Sequence, residues 1–129
     1  MTRILRGRVI VEGHANGPAL VSDRPISFLG GVDPETGRIV EPGHPLEGRS
    51  VAGRVLVFPT GKGSTVGSYI IYRLAKAGLA PAAIVNVESE PIVAVGALIA
   101  SIPMIDRIDI TGLATDTPLT LRGEELVVG

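Results

Sequence analysis

The chain has 129 residues, with 12 basic and 13 acidic side chains, a formal net charge of −1 and no cysteine. That charge balance removes the electrostatic footprint of a nucleic-acid or anionic-membrane binder. The missing thiols exclude disulfides, zinc–thiolate sites, a self-held iron–sulfur cluster and a cysteine nucleophile. Only two Phe and two Tyr contribute to the apolar residues. The core is therefore expected from Val, Ile, Leu and Ala, in one domain that buries roughly two thirds of its unfolded surface.

Residues 4–11 (ILRGRVIV) alternate like a strand. Residues 13–18 (GHANGP) read as a loop, followed by short β-type runs at 19–21 and 26–28. Gly30-Gly31 breaks that pattern, Asp33-Pro34-Glu35-Thr36-Gly37 signals a turn, and 38–40 returns as a strand. Residues 41–49 form another loop, marked by Pro42, Gly43, Pro45 and Gly48. The character changes near residue 50. An apolar strand is expected over 51–58, then a glycine loop, then a helix over 66–77 with Val66, Ile70, Leu74 and Ala77 on one stripe. Gly78 is placed to cap that helix. Residues 83–87 form a buried strand, and Ser89-Glu90-Pro91 opens a second helix, to about Ser101, that carries no charge after Glu90. Such a helix is either packed in the core or covered by a partner, and its place in the element order favours the core. Strands follow at 102–105 and 108–110, and a closing β pair at 119–121 and 125–128.

The chain thus divides into a β-rich part (1–50), a β-α-β-α-β unit (51–106) and a C-terminal β pair (118–128). The fold class is α/β. The central unit forms a parallel sheet with right-handed crossovers, and the flanking segments complete a barrel or sandwich. No leader segment is visible ahead of the first alternating run. The longest uncharged run, 91–105, holds two prolines and is too short to span a membrane, so a soluble cytoplasmic protein is expected.

The stretch Phe58-Pro59-Thr60-Gly61-Lys62-Gly63-Ser64-Thr65 joins a strand to a helix through glycines. Backbone N–H groups and a helix dipole converging there suit a carboxylate or phosphate. It is not a Walker loop, because the lysine precedes the second glycine, and it lacks the third glycine of a dinucleotide fingerprint. Ser64 has two readings. Spacing alone favours a helix cap. The other reading is a base or nucleophile whose alkoxide Lys62 and the loop amides would stabilise. His14 and His44 stand in glycine/proline loops without metal-ligand spacing and read as solvated.

The chain also resembles the swivel-domain small subunits of the aconitase X family. The likeness is carried by residues 13–20 (GHANGPAL), 27–37 (SFLGGVDPETG), 43–48 (GHPLEG), 61–65 (GKGST) and 80–84 (APAAI). It implies an aconitase-swivel β/β/α fold and half of a two-subunit hydro-lyase. The partner would be a large subunit holding a [4Fe-4S] cluster on its own cysteines, with one iron acting as Lewis acid on the leaving hydroxyl. The substrate implied is a small phosphorylated hydroxy acid, (R)-5-phosphomevalonate, dehydrated to trans-anhydromevalonate 5-phosphate in the archaeal mevalonate route. Ser64 matches the family's swivel-domain serine base. Gly61, Lys62, Gly63 and Thr65 would bind the substrate, with Gly30 and Gly31 lining the same cleft. Two alternatives stand beside this: a related dehydratase acting on a hydroxyproline, and a non-catalytic anion-binding domain in which Ser64 is only a cap.

Overall fold

The computed structural model describes residues 2–129. Its elements are β1 (Arg3–Arg6), β2 (Arg8–Val11), β3 (His14–Val21), the single turn α1 (Phe28–Gly31), β4 (Val55–Phe58), α2 (Gly67–Lys76), β5 (Ala83–Asn86), α3 (Pro91–Ile99), β6 (Met104–Asp106), β7 (Pro118–Arg122) and β8 (Glu125–Val128). The strands form one sheet in the order β1-β8-β7-β3-β4-β5-β6-β2. Its two end strands are consecutive in the chain, joined at Gly7, so the sheet curls into a nearly closed barrel. The N–H of Gly7 donates to the Glu124 carbonyl at 2.9 Å. A Cβ there would run into the Asp106 carbonyl and lie 2.9 Å from the Ile108 side chain. The strand turns this corner only because it has no side chain at that point.

The expected β-α-β-α-β unit is present as β4-α2-β5-α3-β6, with β3, β4, β5 and β6 mutually parallel. Every residue of β4 and β5 is buried, as a sheet covered on both faces requires. Strand periodicity divides their side chains between two cores. Leu56, Phe58, Ile84 and Met104 pack with Ile70, Ile71 and Leu74 of α2 and Val93 and Ala97 of α3. Val55, Val57, Val85 and Ile105 point the other way, into the barrel, and meet Leu119, Leu121 and Leu126. Each such fully buried aliphatic side chain contributes about 1.5–3 kcal/mol.

The two helices cross closely at their glycines. A Cβ on Gly96 would press into Ile71 and lie 3.1 Å from Ser68 Cα, and one on Gly67 would lie 3.1 Å from Ile92. Helix α2 ends as expected at Gly78 (φ 74°). There the Leu79 N–H reaches the Leu74 carbonyl (2.8 Å) and the Gly78 N–H the Ala75 carbonyl (3.2 Å), a glycine-terminated cap. Helix α3 begins at Glu90, whose carboxylate accepts from the N–H groups of Ile92 (2.9 Å) and Val93 (2.7 Å). The uncharged helix is half core and half open surface. Val93, Gly96 and Ala97 are buried, while Leu98 and Ile99 are 64% and 57% exposed.

Some local expectations give way to long-range pairing. Residues 14–18 are strand, not loop, because β7 supplies an antiparallel partner from His14↔Arg122 to Pro18↔Pro118. Neither proline has an N–H, so their pair takes a position at which no ladder bonds are exchanged. Gly17 belongs there for space: a Cβ would lie 2.7 Å from the Gly53 carbonyl. Residues 51–54 form a turn through Gly53 (φ 69°), and the strand begins only at Val55. Ile26 makes a single parallel bridge to Gly61, and residues 28–31 form a tight turn that is not helical at Leu29 (φ −76°, ψ 119°) or Gly30 (φ 83°). Residues 108–110 are not a strand, since β2 already occupies the free edge of β6.

An ion pair, buried at its Asp106 end and open to solvent at Arg8, ties the closing strand to the site end of the sheet. Asp106, fully buried on β6, accepts from Arg8 Nε (3.0 Å) and Nη2 (2.7 Å) and from the Ser89 N–H (3.0 Å). Burial by itself would push this carboxyl up. The hydrogen bonds from Arg8 and Ser89, with the guanidinium charge, outweigh that and hold it at about 2.

Candidate active site

The β4–α2 loop leaves the carboxyl edge of the parallel strands, where α/β sheets place their ligands. Both of its flanks are pinned. On one side the N–H groups of Val87 and Glu88 donate to the Pro59 carbonyl (3.0 and 3.1 Å). Fully buried Asn86 donates from Nδ2 to the carbonyls of Phe58 (3.0 Å) and Val85 (3.2 Å). On the other side Ile26 N–H donates to Thr60 and Lys62 N–H to Ile26 (3.3 and 3.1 Å).

The glycines of the loop have separate reasons. Gly61 is squeezed against α3, where a Cβ would run into the Glu90 carboxylate and lie 2.5 Å from the Val93 side chain. Gly61→Ala is expected to cost about 1–3 kcal/mol through overpacking, read as a lower melting temperature of the isolated chain. An unchanged melting temperature would show that α3 yields freely. Gly63 takes φ 95° and sits against Ser27, whose Oγ a Cβ would overlap. That contact brings the Ser27 loop to the same cleft. Gly31 faces Ser27 and the Glu41 carboxylate, at 3.8 and 3.5 Å from where its Cβ would lie, while Gly30 faces open space.

Ser64 is exposed and three residues ahead of Gly67, where α2 begins. Its Oγ accepts from the Val66 N–H at 3.1 Å, and its carbonyl accepts from Gly67 at 2.9 Å. The serine therefore closes a tight lead-in turn rather than capping the α-helix proper, which starts behind Val66 without a side-chain cap. Among the described residues, the N–H groups of Gly63, Ser64 and Thr65 donate to no protein acceptor. Three consecutive free amides and the positive end of a ten-residue helix leave this spot suited to negative charge. Lys62 adds a cation and is paired with Glu41 (Nζ–Oε2 3.6 Å). Thr65 lies on the far side of Ser64, with Ser68, Pro91, Ile92 and Val95 around a shallow apolar hollow.

The structure thus brings Gly30, Gly31, Gly61, Lys62, Gly63, Ser64 and Thr65 to one end of the sheet. Sequence reading missed Glu41 and Asn86 there. Glu41 pairs across 21 positions and Asn86 across 28, so no local pattern betrays either. It also misplaced His44, which is buried at 4% exposure with both ring nitrogens engaged. The Leu46 N–H donates to Nδ1 (3.1 Å), and Nε2–H donates to the Pro25 carbonyl (3.1 Å). His14 is exposed, as expected.

Among the described residues, no group of three or more His, Cys, Asp or Glu could hold a metal ion. With no cysteine in the chain, its donors do not fit an iron–sulfur cluster. Nor is any helix among them long and apolar enough to cross a membrane.

A nearly closed β layer backed by two helices on one face, with a glycine–serine loop at the carboxyl edge, defines a swivel-type domain. The chain belongs to the aconitase X swivel family: the family profile described as the aconitase X swivel domain matches residues 4–128. It is similar to the phosphomevalonate dehydratase small subunit of Methanocella arvoryzae, 62% identical over 105 residues that cover 81% of this chain and 80% of that one. The subunit of the same name from Thermococcus onnurineus is 52% identical over 124 residues, covering 96% and 95%. The crystal structure of Thermococcus kodakaraensis aconitase X in its holo form matches with a TM-score of 0.96 at 49% identity, covering 98% of both chains.

Proposed function

We propose that the chain is the small subunit of a two-subunit cytoplasmic hydro-lyase that dehydrates (R)-5-phosphomevalonate to trans-anhydromevalonate 5-phosphate. The observation that carries this reading is Ser64. It is an exposed hydroxyl at a helix mouth, beside three amides with no acceptor among the described residues, in a chain whose relatives bear that enzyme's name.

In this reading Ser64 Oγ removes the proton from the carbon next to the substrate carboxylate. A serine hydroxyl is a weak base until its alkoxide is stabilised. The Val66 N–H already donates to Oγ, and the dipole of α2 with the Lys62 ammonium lowers the cost of the negative charge. The free amides of residues 63–65, with Thr65 Oγ1, bind an anionic group of the substrate. Gly30 faces open space and leaves the facing wall bare so that the substrate can approach, with Gly31 buried behind it against Ser27 and Glu41. The [4Fe-4S] cluster and its cysteines belong to the large subunit, and this chain supplies no ligand to it. A partner of that size also accounts for the open apolar face of α3, since contiguous exposed apolar surface marks an interaction site.

The test is reconstitution with a cysteine-bearing large subunit. The chain alone is expected to be inactive and the pair to convert phosphomevalonate. A pair that converts cis-3-hydroxyproline instead would overturn the substrate assignment and leave the hydro-lyase chemistry standing.

A further inference from the structure

We propose that Glu41 is a positioning residue that holds the Lys62 ammonium beside the Ser64 loop. This rests on the dehydratase reading above. Glu41 comes from a different segment, and that segment is firmly held. The Val40 N–H donates to the Gly31 carbonyl (2.9 Å) and the His44 N–H to the Glu41 carbonyl (3.2 Å). Buried His44 then locks the turn to Pro25, next to the Ile26 bridge that pins Gly61. The Glu41 carboxylate sits on a short stem, whereas the Lys62 ammonium ends a flexible four-carbon one. Their exposures differ in the same sense, 23% for the Glu41 side chain and 48% for Lys62.

A carboxylate at the edge of a site for anionic substrates is unfavourable unless it is paired. Its gain is in placement. Lys62 is the one cation of the 58–65 loop, two residues from Ser64, and without a partner its ammonium samples solvent. The other carboxylate against this loop, Glu90, is committed to the first turn of α3. A half-exposed pair contributes little to stability, so its removal is expected to register in turnover rather than in folding.

The experiment uses the reconstituted pair with Glu41→Gln, Glu41→Asp, Lys62→Met and the Glu41→Gln/Lys62→Met double variant. Glu41→Gln is expected to lower kcat about tenfold with KM within about twofold. Glu41→Asp recovers most of the loss, and the double variant equals Lys62→Met alone, as coupled residues require. Melting temperatures stay within a degree or two. A wild-type kcat in Glu41→Gln, or losses that multiply in the double variant, would overturn the positioning role while leaving the dehydratase reading intact. A wild-type pair that leaves phosphomevalonate untouched would bring down that reading, and the role of Glu41 with it.

Discussion

Ser64→Ala is expected to lower turnover of the reconstituted enzyme by about 10²- to 10⁴-fold, the usual worth of a positioned base, with the two subunits still assembling. The expectation follows from what the hydroxyl touches. Among the described residues it makes one acceptor contact, to an exposed N–H at 3.1 Å, so its removal costs about 0.5–1 kcal/mol of stability. The two readings of this serine therefore separate cleanly. A serine that only closes the turn loses that stability and keeps its activity. A serine that takes the proton loses activity far beyond what so small a destabilisation explains. A melting curve and a rate measured on the same preparation decide between them, and a variant with normal turnover would remove Ser64 from the mechanism.

The second large effect concerns folding. Asp106→Ala is expected to destabilise the chain by about 2 kcal/mol, through its lost charge-assisted hydrogen bonds and an unpaired N–H. It would leave the Ser89 N–H without an acceptor and Arg8 without its partner on the strand that closes the barrel. The wild type carries a matching acid signature. The Asp106 carboxyl is held at about 2, below its ordinary 3.8. A depressed carboxyl contributes its stability above the unfolded value, and that contribution drains away as pH falls from about 4 to about 2. The loss amounts to about 2 kcal/mol. Melting temperatures followed from pH 5 to pH 2 are expected to fall more steeply in the wild type than in Asp106→Asn. Parallel curves would show that the pair contributes nothing to acid stability. The consequence reaches the site, because the Ser89 N–H bonded to Asp106 precedes Glu90, which caps α3 and packs on Gly61.

Much of the central unit is legible in the sequence. Helix α2 announces itself by an apolar stripe and a capping glycine. Strands β4 and β5 announce themselves by runs that have to be buried on both faces. The glycine–serine loop stood out because glycine, lysine and hydroxyl residues between a strand and a helix have few other uses. These signals are local: each depends on residues within a few positions of one another, and hydrophobic periodicity reports them directly.

The strand over residues 14–18 was hidden for the opposite reason. Asn16, Gly17 and Pro18 favour a turn when taken alone, and only the antiparallel partner about a hundred positions later overrides them. His44 read as a solvated loop residue because its acceptor, the Pro25 carbonyl, lies 19 positions away. Glu41 looked like the first residue of another loop, and nothing near it in the chain says that it meets Lys62.

By itself, the sequence determined the class of fold, the strand–loop–helix that carries Ser64, and the absence of any thiol to hold a cluster. Tertiary structure alone decided that the sheet curls until β1 and β2 meet at Gly7, which residues crowd Gly61 and Gly63, and which face of α3 stays open. The reason is physical. Propensity and periodicity act over a turn or two of chain, whereas packing, ion pairs and barrel closure depend on groups that come together only once the chain has folded.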